Sequence, residues 1–275
     1  MKDAIEKRRS VRTYADRPLD RKDEDFVSRL IEEVSARETP FSHAIDLFYY
    51  RNQKEEGPKG RRVGTYGFVK DAPAFIGGTT KPSKEGLIDF GYLFEYAILK
   101  LTEQGLATVW LGGTFRRKAF DDHAKDGRIV PAISAVGYPA SYQTLREKAL
   151  VKTVKARKRK PFGELFFTGD FSHPLAEKDD HPLREYLRLV QLGPSATNQQ
   201  PWRILIRGDV LDIYLERTSN YAGVIPFDIQ WLDIGIALCH LEVGLSADGI
   251  PFRRFVADSI ESDDGYEYAI SIELK

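Results

Sequence analysis

The sequence predicts an α+β fold of two tandem units, each a mixed, mainly antiparallel sheet flanked by helices, paired as a pseudo-dimer within one chain. Three observations predict it. Asp89-Phe90-Gly91 returns as Asp233-Ile234-Gly235, 144 residues on (89 to 233), each inside a long apolar helical stretch. The same displacement carries Gly105 onto Gly249, the stop after each stretch. Each half then closes on a strand containing Ala-Ile-Ser, at 132–134 and 269–271. A shared tripeptide alone is near chance, but the shared order of helix, glycine stop, strand and final strand points to a repeat. The expected units are residues 1–150 and 151–275, the second degenerate, with 151–170 as the connecting segment.

Met1–Ser10 reads as a short helix running into a basic turn. In Asp25–Ala36, Phe26, Leu30, Ile31 and Val34 fall at helical spacing with charges between them. Ala74–Ile76 reads as a short strand ending at Gly77-Gly78. Ile88–Gln104 is the strongest helix of the first half, with Phe90, Leu93, Phe94, Ala97, Ile98 and Leu101 on a broad apolar face. Thr108–Leu111 and Ala132–Val136 follow as strands, the second closed by Gly137-Tyr138-Pro139. Ala140–Lys160 is basic and weakly periodic, as a connection would be. Lys178–Gln191 is helical after Pro182, and Arg203–Arg207 with Leu211–Glu216 form a hairpin around Gly208-Asp209. Phe227–Ala247 is a long buried helix, and Tyr268–Leu274 a closing strand.

Composition narrows the function classes. The 275 residues are 30% charged and 42% apolar, as in an ordinary globular protein, and 41 Lys and Arg balance 41 Asp and Glu. No global field draws in nucleic acid or a membrane, so neither is an expected partner. Cys239 is the only cysteine and lies in an apolar run, which suits a buried, inert thiol. The first residues contain no apolar leader, and no window reaches the ~18–20 uncharged apolar residues of a membrane helix, so a cytoplasmic protein is expected. The histidines at 43, 123, 173, 181 and 240 have no metal-ligand spacing, and no metal is expected.

Four segments carry chemistry. Arg8-Arg9-Ser10-Val11-Arg12 offers three guanidinium groups and a hydroxyl, suited to a phosphate or to a solvated basic helix end. Gly193–Trp202 is a polar loop pinned by Pro194 and Pro201, suited to hydrogen bonding a heterocycle or a polyol chain. Gly105–Thr114 ends a buried strand with Gly112-Gly113, where backbone N–H groups can approach a ligand closely. Lys155–Pro161 is a basic run, either a linker or a second grip on phosphate.

Together these segments resemble the nitroreductase-like family of flavoproteins. The matching motifs are Arg-Arg-Ser-x-Arg at 8–12, Gly-Leu at 105–106, Trp110 with Gly112-Gly113, Gly-Tyr-Pro at 137–139, Arg-x-Pro at 159–161 and Pro-Ser-x-x-Asn-x-Gln-Pro-Trp at 194–202. Ordinary members carry every motif in one subunit and build two sites across a homodimer. Here the first half lacks the polar loop, Glu38–Tyr50 standing in its place. The second half lacks the Arg-Ser-Arg turn and has Phe252-Arg253-Arg254-Phe255 where the Trp-Leu-Gly-Gly segment belongs. The chain is thus similar to fused, single-chain nitroreductases that keep one of two sites.

The resemblance implies bound flavin mononucleotide (FMN), with NAD(P)H as co-substrate and a nitroaromatic, quinone or similar small molecule as electron acceptor. Arg8, Arg9, Ser10 and Arg12, with Arg157 and Arg159, would hold the phosphate. Pro194, Ser195, Ala196, Asn198 and Gln200 would line the isoalloxazine edge and ribityl chain, and the backbone of Leu111, Gly112 and Gly113 would approach flavin N5. The flavin carries the chemistry, so no protein nucleophile is expected. With the usual dimer face already buried inside the chain, a monomer is expected. The alternatives are a flavin-storage protein without turnover and a degenerate scaffold without flavin.

Overall fold

The computed structural model describes residues 1–52, 63–144, 147–149, 151, 158–218, 226–258 and 265–275. The first half begins with α1 (Lys2–Lys7) and α2 (Arg21–Ser35). Helix α2 starts four residues before the apolar spacing shows it, because its first turn, Arg21-Lys22-Asp23-Glu24, has no core-facing residue to give a period. Then come β1 (Asp46–Arg51), β2 (Ala74–Thr79), α3 (Lys84–Glu103), β3 (Ala107–Leu111) and β4 (Ile133–Gly137). Ser83 sets the start of α3, its Oγ accepting a hydrogen bond from Gly86 N.

The second half holds α4 (Phe162–Leu165), β5 (Phe166–Thr168), α5 (Arg184–Gln191), β6 (Trp202–Arg207), β7 (Val210–Glu216), α6 (Gln230–Ala247), β8 (Phe252–Phe255) and β9 (Tyr266–Leu274). Elements α4 and β5 fall within the stretch expected to be a connection; β5 instead pairs parallel to β6 at the edge of the second sheet.

The sheets run β1-β2-β4-β3 and β5-β6-β7-β9-β8. Without β5, both have one plan: a hairpin, a long helix, an edge strand, then an inner strand returning beside the hairpin. The named strands of the first sheet pair antiparallel, and a parallel bridge joins Ser10 to Thr108 at its β3 edge. Each sheet is therefore mainly antiparallel with one parallel edge.

Helices α3 and α6 cross at the centre. Both stop at the expected glycine in the left-handed region, Gly105 at φ +83° and Gly249 at +69°. Helix α6 is buried on every side from Gln230 to Leu245, as a helix wedged between a sheet and a second helix must be. The repeated Asp-x-Gly triplets mark the crossing. A Cβ on Gly235 would lie 2.1 Å from Ile88 O, and one on Gly91 would lie 2.2 Å from Leu232 O. The helices thus touch backbone to backbone where the repeat places a glycine in each.

One continuous core joins both helices to both sheets, through Phe90, Phe94, Ile98, Leu238, Leu241, Ile204 and Ile213 among others. Val11, Phe75, Val109, Phe120 and Ile133 form a separate cluster in the first half. Cys239 is buried in the central core, and burial raises its thiol pKa well above the ordinary value, leaving an unreactive thiol. Among the described residues no helix is long and apolar enough to cross a membrane, and no cluster of three His, Cys, Asp or Glu could hold a metal ion.

Candidate functional site

A cleft of about 420 Å³ opens where the two halves meet. One wall is the extended run after α1 with the end of β3; the other is the 194–198 loop with the first turns of α6.

The basic run adopts strand geometry. Arg8 leaves α1 with extended dihedrals, Ser10 bridges Thr108, and Val11 N donates to Thr108 O at 2.9 Å. Side chains of an extended segment alternate between faces. Arg8, Ser10 and Arg12 therefore line the cleft, Val11 turns into the core beneath β3, and Arg9 lies exposed. That alternation sets Arg9, expected on the phosphate with the other three, outside the cleft lining.

The Arg8 side chain is only 5% exposed, with Nε 3.8 Å from Glu95 Oε1. Its Nε and Nη1 are buried without a hydrogen-bond acceptor, as is Nη1 of Arg12. Buried donors of a charged group normally find partners, so these mark a place where an anion fits. Burial lowers the pKa of both guanidiniums, opposed at Arg8 by Glu95 and at Arg12 by Glu147. Arg8 also depresses Arg12 and Arg159 by like-charge repulsion, so the cations crowd one spot. Glu95 has closer partners at both oxygens: Oε2 accepts from Trp110 Nε1 at 2.7 Å, and His240 Nε2 lies 2.9 Å from Oε1.

The facing loop is held in a strained form. Thr197, Asn198 and Gln200 have φ of +45°, +60° and +47°, a region costly for residues other than glycine. Hydrogen bonds fix it: Gln200 N donates to Ser195 Oγ at 2.8 Å, Arg159 Nη1 to Asn198 Oδ1 at 3.0 Å, and Asn198 Nδ2 to Lys158 O at 2.7 Å. Pro194, Ser195, Ala196 and Asn198 line the cleft together with Arg159. The Asn198 amide thus orients Arg159 as well as facing the cleft. Gln200 is fully buried and outside the lining. Its Oε1 accepts from Lys160 N and its Nε2 donates to Gln191 O, both at 2.7 Å, so it fastens the loop from behind. That corrects its expected place on the cofactor.

Leu111, Gly112 and Gly113 lie on the cleft wall, next to Trp110. Arg157 lies outside the described residues. The spacing arguments missed the α6 wall, where Ile229, Leu232 and Ile236 give an apolar face and Asp233 the one carboxyl among the described lining residues. Asp233 alone of that wall carried a signal, since it repeats Asp89 in the shared triplet.

The two aspartates do related work. Asp89 accepts from Phe41 N at 2.9 Å and His43 N at 3.0 Å, and Asp233 accepts from Ala196 N at 3.2 Å; each latches the loop that leads into the first hairpin strand of its own half. Burial raises the pKa of both, and that of Asp233 well above the ordinary value. The native state therefore holds the Asp233 proton more tightly than the unfolded chain. Its contribution is fully present below the unfolded pKa and is lost as pH rises through the native one. Asp233→Asn keeps an acceptor for Ala196 N and removes that loss. Its stability relative to the native chain should climb from about pH 4 upward, as urea unfolding at successive pH values would read out. A difference independent of pH would contradict this.

The family described as "Putative TM nitroreductase" matches residues 1–245. No curated protein matches the chain. Among solved structures, a "putative nitroreductase" of Thermotoga maritima superposes with a TM-score of 0.61 at 21% identity, over 99% of this chain and 93% of that one, and shares its fold. A nitroreductase with bound FMN from Bacteroides fragilis matches at 18% identity over 52% of this chain and 90% of its own, with a TM-score of 0.39. An FMN-dependent nitroreductase from Clostridium difficile matches at 19% over 52% and 90%, also at 0.39.

Proposed function

The chain belongs to the "Putative TM nitroreductase" family, and from that premise we propose that it is an FMN-dependent oxidoreductase with one flavin site at the seam of its halves. The observation that carries the proposal is the buried, acceptor-less donor set of Arg8 and Arg12 in a cleft of about 420 Å³. A phosphate monoester matches those donors in charge and geometry.

Arg8, Ser10, Arg12 and Arg159 would hold the phosphate. Leu232, Ile236 and Trp110 offer apolar surface to a flat ring system, and the Pro194–Asn198 loop closes over its polar edge. The Gly112–Gly113 backbone would serve the ring nitrogen that takes and gives hydride. When bound, the flavin supplies the redox chemistry, passing a hydride from NAD(P)H to a nitroaromatic, quinone or similar acceptor. The protein's own part is to bind, orient and keep water from the buried face. This reading includes two units, residues 1–150 and 151–275, that pair within a monomer in the cytoplasm.

The test is an absorbance spectrum of the protein incubated with FMN and desalted, followed by anaerobic NADH or NADPH and then an acceptor. Retained flavin bands that bleach and recover are expected. Failure to retain flavin would sink the proposal. Retention without bleaching by either nucleotide would make the chain a flavin-storage protein.

A further inference from the structure

We propose that Arg117 is a positioning residue that orients and polarises the Gly112–Gly113 peptide, aiming the Gly113 N–H into the cleft as a strengthened donor; the use of that donor rests on the flavin reading above. A trans peptide is planar, so its C=O and N–H point in opposite directions. Arg117 Nη2 donates to Gly112 O, and also to Pro131 O at 3.1 Å. Gly112 and Gly113 line the cleft, whereas Arg117 is not among the described lining residues. The Gly112 carbonyl is therefore drawn away from the cleft, and the N–H of the same peptide is turned towards it. A cationic donor on the carbonyl also withdraws electron density through the amide, which strengthens the N–H as a donor.

The guanidinium is itself clamped. It lies over the Phe115 ring at 4.8 Å and the Phe227 ring at 5.4 Å, so each half contributes one face. Its Nε is buried with no acceptor, which costs stability for a group doing nothing beyond tying two carbonyls together. A plain staple between the end of β3 and the approach to β4 would make Arg117 matter for stability alone. A positioning role makes it matter for the electronic state of one peptide and for a ligand that reads it.

Arg117→Met and Arg117→Lys separate the two, in flavin-free and FMN-loaded protein. In the flavin-free protein, the Gly113 amide nitrogen resonance should shift in the Met variant and return part of the way in the Lys variant. With FMN bound, the Met variant should show a more negative flavin midpoint potential and about a tenfold lower kcat for NAD(P)H oxidation, with KM little changed. An unmoved Gly113 resonance and potential, with only a lower melting temperature, would overturn the proposal. If native protein takes up no flavin, the flavin reading fails, while the flavin-free resonance still decides whether Arg117 sets the peptide. If the Met variant does not fold, the Lys variant alone carries the comparison.

Discussion

Replacing Arg8 with leucine should weaken FMN binding about a hundredfold while leaving the flavin-free protein at least as stable. Hydrogen bonds to charged groups contribute about 1.5–3 kcal/mol each, and a hundredfold corresponds to about 2.8 kcal/mol. Arg8 brings two donors that have no acceptor in the protein. Its guanidinium is buried against a carboxylate 3.8 Å away that already has Trp110 and His240 as partners. Removing a buried cation with unmet donors relieves a desolvation cost, so the folded state gains where binding loses. Riboflavin, which lacks the phosphate, should bind native and variant protein alike. Titration with both flavins, beside urea unfolding, checks every part of this. Equal loss of both flavins would place Arg8 away from the phosphate.

The second large effect lies at the helix crossing. Gly235→Ala should cost more than about 3 kcal/mol, beyond the usual range for overpacking, because the obstacles are backbone atoms that cannot choose another rotamer. The added Cβ would meet Ile88 O at 2.1 Å and Tyr92 N at 2.6 Å, so α3 and α6 must part. Since β3 follows α3 and Asp233 is on α6, parting them also opens the cleft, and flavin retention should fall with stability. Gly244→Ala on the same helix is the control. Its Cβ would meet the end of the Leu189 side chain at 2.8 Å, which can rotate away, so a much smaller loss is expected. Helix propensity favours alanine at both positions, so equal losses in urea unfolding would contradict the crossing as the source of the cost.

The fold was legible where the pattern was long or repeated. Helices α3 and α6 announced themselves by apolar length and by their glycine stops, and the Asp-x-Gly repeat paired them as equivalents; that the repeat also marks their crossing shows only in the packing of Gly91 and Gly235. Strands β1 and β5 were not read, and β8 was read only as a place in the shared order of elements, without bounds. In β8 two phenylalanines flank the charged Arg253-Arg254, which breaks the alternation a strand would show, so pairing with β9 decides its state. The candidate site was legible by residue type and less so by direction. Arg8, Ser10 and Arg12 could be named, but excluding Arg9 required knowing that the run lies along β3, a pairing across about a hundred residues. Gln200 carries the amide a cofactor loop wants, yet a left-handed backbone turns it inward to Lys160 and Gln191. The apolar wall of α6 had no local signature at all, because a helix buried on every side shows no preferred face.

The central claim is a single flavin site built from both halves. Titrating the 31.3 kDa flavin-free chain with FMN, followed by quenching of flavin fluorescence, tests it most directly. The account predicts saturation at one FMN per chain, with that stoichiometry abolished in the Arg8→Leu, Arg12→Ala double variant. Saturation at two per chain, or no quenching at any concentration, would contradict it.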